Sequence, residues 1–346
     1  MIHLAFIGNG KSTNRYHLPF LRKLTSKYKI EKIFSRSSNS PWPKQAAVKY
    51  IHDLNEIWND SQITLVIITT PSETHYQLAK EALLANKHVI LEKPFVENWK
   101  QAKELFELAK QNGLVLQAYQ NRRFDSDFLT LQDVIESNKL GELFEIQMHF
   151  DYYRPETPLE SKGNSALGSF LYGHGSHTVD QIISYFGKPD QVHYDIRQLT
   201  AANKMNDYFD LDLYYDKLKV SIQSSYYMIK PRPSMVAYGK KGMFIKQTKD
   251  RQEEHLKLFY MPDQVGFGED QPIHFGTIVY VDEVGQYREE KVVTHQGDYS
   301  LYYLKLYDTL KNGEQKLVKD EETLEVIHIL ETGFKHRLKA HNIHKH

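Results

Sequence analysis

The chain has 346 residues, enough for one large domain or two of medium size. Its 44 Lys and Arg balance 44 Asp and Glu, so no charge excess points to nucleic acid or an anionic membrane surface. It has no cysteine, which excludes disulfides, thiolate zinc sites and a cysteine nucleophile and fits a reducing cytoplasm.

The N-terminus has neither a basic region nor a small-residue cleavage site, so residues 1–8 read as a first strand rather than a leader, and no apolar run is long enough to span a bilayer. The apolar residues 3–7 run straight into Gly8-Asn9-Gly10, Lys11-Ser12-Thr13 and a helical stretch carrying Leu18, Phe20, Leu21 and Leu24. Strand, glycine turn and helix in that order suit a pyrophosphate: glycine lets the backbone come close, and the helix start offers free N–H groups. Thr13 stands where a full dinucleotide fingerprint has its third glycine. A second strand over 29–34 ends in Ser35-Arg36-Ser37-Ser38. An acid at this tip would serve the ribose hydroxyls of NAD; Arg36 instead suits the 2′-phosphate of NADP.

Weaker strand signal at 51–54 and a helix over 54–59 precede the most apolar strand, 64–69. Thr70-Pro71-Ser72 then opens a helix that passes His75 and ends at 83. Val89-Ile90-Leu91 reads as another buried strand, stopped by Pro94, so Glu92 and Lys93 fall at its carboxyl end, where open α/β sheets bind ligands. A lysine there, beside a carboxylate, suits proton transfer or charge stabilisation. An amphipathic helix over 98–111, with Leu105, Leu108 and Ala109 on its buried side, and a strand over 114–119 complete the alternation expected of a doubly wound parallel sheet.

Gly8-x-Gly10, Thr70-Pro71-x-x-x-His75, Lys87-His88-Val89-x-x-Glu92-Lys93-Pro94 and Arg122-Arg123-Phe124-Asp125, in this order, resemble the Gfo/Idh/MocA family of oxidoreductases, and the resemblance runs through nearly the whole chain. Tyr119-Gln120-Asn121-Arg122-Arg123 and Tyr152-Tyr153-Arg154-Pro155 are similar to the branch holding uncharacterised bacterial members and the NADP-dependent scyllo-inositol dehydrogenase. The resemblance implies an N-terminal Rossmann domain, set at residues 1–121, and a C-terminal α/β substrate and oligomerisation domain, set at 122–346, whose open sheet supports homodimers or higher homo-oligomers.

In the second half the pattern shifts to a helix over 126–137, a long strand over 143–154, alternating strands over 192–199, 208–215 and 219–227, and helices over 301–310 and 321–338. Asp216-Lys217 and Gly239-Lys240-Lys241-Gly242 read as hairpin turns, so this sheet is expected to be mostly antiparallel. The 23 Tyr and 17 Phe suit an extended sheet and an aromatic, hydroxyl-lined cleft. Gly168 to Gly175 leads into a helix expected over 178–186, packed through Ile182, Ile183 and Phe186, with His177 in its first turn.

By resemblance, His177 matches the family's catalytic histidine and Asp180 the acid after it; Gly173 stands where the family often has an aspartate. The resemblance implies an NADP-dependent enzyme, NAD also fitting, that moves hydride between nicotinamide and a secondary alcohol of a sugar or inositol-like polyol. Lys93 and His177 are the catalytic candidates. Gly8, Asn9, Gly10, Lys11, Ser12, Ser35, Arg36, Thr70, Pro71, His75, Glu92, Lys93 and Asn121 are the cofactor candidates, and Arg123, Tyr153, Arg154, Tyr172 and Asp180 the substrate-side ones. His174, His177 and Asp180 do not make a committed three-ligand zinc set, so no metal is expected. Two other readings stay open: an NADP-bound redox sensor or accessory protein without turnover, and a lyase or hydrolase using tightly held NAD for transient oxidation.

Overall fold

The computed structural model describes residues 1–37, 39–161, 163–201 and 203–343. The chain divides into two compact units. The first comprises Met1–Asn121, Glu253–Phe267 and Tyr299–Ile327. Among its described residues, six strands form one parallel sheet: β1 (Ile2–Ile7), β2 (Tyr28–Phe34), β3 (Lys49–Ile51), β4 (Leu65–Ile68), β5 (His88–Leu91) and β6 (Leu116–Ala118). They lie in the order β3-β2-β1-β4-β5-β6, the doubly wound dinucleotide-binding order. Helices on a parallel sheet cover both of its faces, so central strands are apolar throughout. Every residue of β4 is buried, as are Val89, Ile90 and Leu91 of β5. The helix Trp99–Gln111 starts where the Asn98 side chain accepts from Gln101 N at 3.0 Å, a cap worth about 1 kcal/mol. Its buried stripe is Ala102, Leu105, Phe106 and Ala109; Leu108, expected in it, is half-buried at the edge.

The segment after the glycine turn is not one regular α-helix. Ser12–His17 is wound as a π-helix, Leu18–Leu21 as an α-helix and Arg22–Leu24 as a 3₁₀ turn. Pro19 accounts for the change, since it has no N–H to continue the ladder and its ring crowds the turn before it. At the tip of β2, Ser38 lies outside the described residues.

The second unit comprises Arg122–Gln252, Gly268–Asp298 and His328–His346. Among its described residues, eight strands form one sheet: β7 (Leu143–His149), β8 (Gln191–Arg197), β9 (Tyr208–Tyr215), β10 (Leu218–Ser225), β11 (Met235–Gly239), β12 (Gly242–Lys246), β13 (Gly276–Val281) and β14 (Tyr287–Val292). The order is β14-β13-β12-β11-β7-β10-β9-β8; β7 and β10 run parallel and the other pairs antiparallel. The strand expected to reach 154 ends at His149. The break coincides with Asp151, whose buried carboxylate takes a forked bond from Arg232 at 2.8 and 2.9 Å. Beyond it the backbone still pairs irregularly, Phe150 N donating to Gln223 O and Tyr152 N to Ser225 O.

The helix Ser176–Phe186 also begins differently from the expectation. A π-wound turn, Leu171–Gly175, runs into it with Gly175 in helical geometry, so His177 sits inside a continuous helical run and not at a free start. A Cβ at Gly175 would come within 3.1 Å of a Leu330 methyl and 3.2 Å of one on Leu171, which is why glycine suits this junction. Ile182 and Ile183 face the core; Phe186 is half-buried, against Tyr185 and Tyr215.

Candidate functional site

In the first unit, parallel pairing puts the carboxyl ends of all strands on one edge. The loops that follow β1, β2, β4, β5 and β6 there begin at Gly8, Ser35, Thr69, Glu92 and Tyr119. These loops, or the first residues of the helical elements they run into, carry every cofactor candidate named from the sequence. Order reverses between β1 and β4, the position at which such sheets hold a dinucleotide.

Gly8 has φ +121, and a Cβ on it would lie 2.5 Å from Thr69 Oγ1, so only glycine lets β1 exit beside β4. A Cβ at Gly10 would meet nothing within 4 Å, leaving the backbone open on that side. Thr13 explains how the loop manages without a third glycine. Buried, it donates from Oγ1 to Gly8 O at 2.7 Å and bonds Thr69 Oγ1 at 2.7 Å, so a hydroxyl ties helix, turn and β4 where close packing would otherwise do so. Asn14 Nδ2 reaches Asn9 Oδ1 at 2.9 Å, and Asn9 Nδ2 reaches Ser40 Oγ at 3.1 Å. That chain links the glycine turn to the segment after β2. Arg36 is exposed at the tip of β2, and Ser35 N is held by Ile51 O at 3.0 Å. These features fit a dinucleotide: a glycine turn at the switch point, a hydroxyl-tied helix entry and a basic tip on β2.

At the exit of β5, Glu92 is buried and fully engaged. Ser12 Oγ donates to its Oε1, His17 Nε2 lies 2.9 Å from the same oxygen, and Lys93 N donates to Oε2 at 2.9 Å. Burial pushes the Glu92 carboxyl up, but bonds from His17 and Ser12 and the charges of His17 and Lys93 outweigh it, holding it at about 2 against an ordinary 4.5. His17 is itself wholly buried, stacked on Tyr119 at 4.0 Å, with Nδ1 bonded to Tyr303 Oη. Since a carboxylate only accepts, His17 Nε2 carries the proton shared with Glu92. Burial raises Tyr303 well above its usual range, which keeps it a donor. His17 and Tyr303 are not singled out by the sequence, and Tyr119 enters there only as part of the 119–123 motif. No local pattern marks them, because His17 and Tyr303 are 286 residues apart.

His75 joins two of these loops. Its Nε2 lies 3.0 Å from Thr70 O and its Nδ1 2.8 Å from Pro94 O. Thr70 Oγ1 bonds Thr74 Oγ1 at 2.7 Å. The Lys93–Pro94 peptide is cis, and the Lys93 side chain is half-buried. Lys11 is exposed and Asn121 buried.

In the second unit, Arg123 and Asp180 are both buried and bond each other: Nε donates to Oδ2 at 2.8 Å and Nη2 to Oδ1 at 2.7 Å. With Gln181 Nε2 donating to Arg122 O at 2.7 Å, this fork pins the His177 helix to the 121–124 turn. The two residues expected on the substrate side are thus bonded to each other, as a buried arginine and carboxylate stabilise one another's charge. Tyr172 is buried and sets its ring edge-on to Phe334. Tyr153 is exposed and forms an isolated bridge with Tyr227. Arg154 is exposed, its guanidinium 4.8 Å from the Tyr152 ring. His177 is buried, three residues beyond His174, whose ring sits among Tyr152, Phe170 and Tyr226.

Among the described residues, no three His, Asp or Glu side chains are grouped to hold a metal, and no helix is long and apolar enough to cross a membrane.

Comparison with known proteins agrees with this architecture. A family model described as an oxidoreductase family with an NAD-binding Rossmann fold matches residues 2–120, and one for that family's C-terminal alpha/beta domain matches 132–342. The chain is 43% identical to the uncharacterised oxidoreductase YhhX of Escherichia coli over 339 residues, 96% of each chain. It is 32% identical to the scyllo-inositol 2-dehydrogenase (NADP(+)) IolW of Bacillus subtilis, over 96% of this chain and 92% of that one. The crystal structure of an oxidoreductase from Bacillus cereus superposes with a TM-score of 0.92 at 42% identity, covering 97% of this chain and 96% of that one.

Proposed function

The chain belongs to the Gfo/Idh/MocA oxidoreductase family, and from that premise we propose that it moves hydride between a nicotinamide cofactor and a secondary alcohol of a sugar or inositol-like polyol. The observation that carries this reading is the Glu92–Lys93 step at the exit of β5. A buried, ionised carboxylate there fixes the backbone of a lysine on the ligand-binding edge of a parallel sheet.

A nicotinamide held at this edge would supply the acceptor, or in reverse the donor, for hydride at the carbinol carbon. The hydroxyl proton must leave in the same event, and His177 takes it. Lys93 bonds the same oxygen and stabilises negative charge developing there. Glu92 orients Lys93 through its backbone N–H. The glycine turn, Asn9, Lys11, Ser12, Thr70, Pro71, His75, Asn121 and the tip of β2 hold the cofactor. In this reading residues 1–121 serve the cofactor and 122–346 the substrate and self-association into a homodimer or higher homo-oligomer. NADP is preferred because Arg36 stands exposed where an NAD site would have an acid. The name of IolW, an NADP-dependent scyllo-inositol dehydrogenase, supports both the cofactor and the polyol class. A cysteine-free sequence suits a cytoplasmic setting.

The test is Lys93→Ala. The variant is expected to lose turnover by a factor of about 10² or more while still binding NADPH, as judged by nicotinamide fluorescence. Retained turnover would remove Lys93 from the chemistry.

A further inference from the structure

On the ligand-binding edge of the first unit, one arginine meets aromatic rings and no carboxylate. Arg15 lies in the winding that follows the glycine turn, Ser12–His17. Its guanidinium is 5.1 Å from the centre of the Phe259 ring and 5.9 Å from that of Trp42, and the two rings are 6.4 Å apart. Its Nε is buried with no hydrogen-bond acceptor, and among the described residues no carboxylate pairs with it. Ring faces attract a guanidinium without neutralising it, so Arg15 keeps its charge. A buried N–H that the chain leaves without an acceptor calls for one from outside the chain. Both rings are tied to this edge. Trp42 follows the tip of β2; its N donates to Ser40 Oγ at 3.2 Å, and Ser40 Oγ accepts from Asn9 of the glycine turn at 3.1 Å. Arg15 thus closes a ring of contacts running from the glycine turn through Asn9, Ser40 and Trp42 back to the winding after that turn. Phe259 arrives on the segment Glu253–Phe267, which packs on this unit through Phe267 against Phe20 at 6.1 Å. Phe259 is exposed and holds φ +59, in the left-handed region that glycine or asparagine usually fills. A bulky ring kept at such a position, and kept exposed, costs the fold stability and points to a use outside it.

We infer that Arg15, set in place by Trp42 and Phe259, is a second arginine for the 2′-phosphate of NADP and shares that group with Arg36. In a doubly wound sheet the adenosine ribose lies between the glycine turn and the tip of β2. The Asn9–Ser40 bond joins those two segments, and Arg15 borders the same place from the helix side. A phosphate has oxygens enough for two arginines, and a planar guanidinium offers it parallel N–H groups. Rings against a guanidinium fix its plane and use none of its N–H groups. NADH carries a hydroxyl at this position, which gains little from a second positive charge, so Arg15 discriminates in the same direction as Arg36. The inference rests on the NADP reading above and adds to it a residue after the glycine turn and a segment from the second half of the chain.

The test is a fluorescence titration of NADPH and of NADH into wild type, Arg15→Met, Arg15→Lys, Phe259→Ala and Arg36→Ala. Displacement of bound NADH by 2′-AMP and by 5′-AMP is measured alongside, and urea unfolding checks that each variant is folded. Methionine keeps an unbranched stem beside the rings, and Phe259→Ala removes an exposed ring alone. Arg15→Met is expected to weaken NADPH by about tenfold and NADH by less than about twofold. Arg15→Lys should recover part of that loss, since it returns the charge without the planar fork. Phe259→Ala should weaken NADPH by roughly threefold and leave NADH unchanged, because Arg15 keeps its charge and loses its positioning. In Arg15→Met, 2′-AMP should displace NADH less well than in wild type, and 5′-AMP equally well. Equal weakening of both cofactors, or of both nucleotides, would place Arg15 on the pyrophosphate and overturn the inference. Unchanged NADPH binding in Arg15→Met would overturn it too; if Arg36→Ala still weakens NADPH selectively, the NADP reading stands without Arg15. A wild type that binds NADH as tightly as NADPH would remove both. Should Arg15→Met fail to fold, Phe259→Ala decides, and no selective loss of NADPH in it overturns the inference.

Discussion

Glu92 is the residue on which the first unit's candidate site turns. A carboxylate taken out of water is costly unless its lone pairs are filled, and here Ser12, His17 and the Lys93 backbone fill them. Removing one donor leaves a buried charge short of a partner. His17→Leu, which has no donor, is therefore expected to destabilise the protein by about 2–4 kcal/mol near neutral pH. The pH dependence has a definite sign. Glu92 titrates near 2 when folded and nearer its ordinary 4.5 when unfolded, so the unfolded chain binds the proton more readily between those values. Its contribution is complete above about pH 4.5 and fades as the pH falls toward 2. The gap between wild type and His17→Leu in urea unfolding should accordingly be widest at neutral pH and narrow on acidification. A gap independent of pH would show that His17 does not act through Glu92.

At the scale of elements, local signals served well where the structure is local. The apolar runs of β4 and β5, the helix start at Asn98, the glycine turn and the hairpins at Asp216-Lys217 and Lys240-Lys241 are set by neighbours in sequence, and they were legible there. The departures have named causes. Pro19 breaks the first helix into three windings. Asp151 ends β7 early by turning in to meet Arg232. Gly175 lets a π-wound turn merge with the His177 helix, which removes the free helix start expected at that histidine. The tip of β2 carries the cofactor preference. An exposed arginine there costs the fold little to remove, so Arg36→Ala should leave stability within about 0.5 kcal/mol. It should nevertheless weaken NADPH binding by about tenfold or more while changing NADH little, because the missing contact is to the 2′-phosphate. Equal effects on both cofactors, in a fluorescence titration, would remove Arg36 from the assignment.

Taken as a whole molecule, the chain shows what a single sequence conceals. Motif residues lie close together along the chain or at strand ends, so Gly8, Glu92, Lys93 and His177 could be named before any coordinates. Their supports come from far away, as Tyr303 does behind His17. The Arg123–Asp180 fork is likewise a contact that no local pattern announces, since its residues are 57 apart in sequence. Long-range packing decides such cases, and periodicity does not report it. What spans the whole protein is the claim that it oxidises a secondary alcohol with a nicotinamide. The most direct measurement is the change in nicotinamide absorbance when the wild-type protein is mixed with NADP, or with NAD, and a panel of inositols, aldoses and their acids. Substrate-dependent reduction of NADP, stronger than that of NAD and absent in Lys93→Ala, is the predicted result. Tight NADPH binding with no substrate-dependent reduction anywhere in the panel would contradict the account and favour a nucleotide-bound sensor or accessory protein.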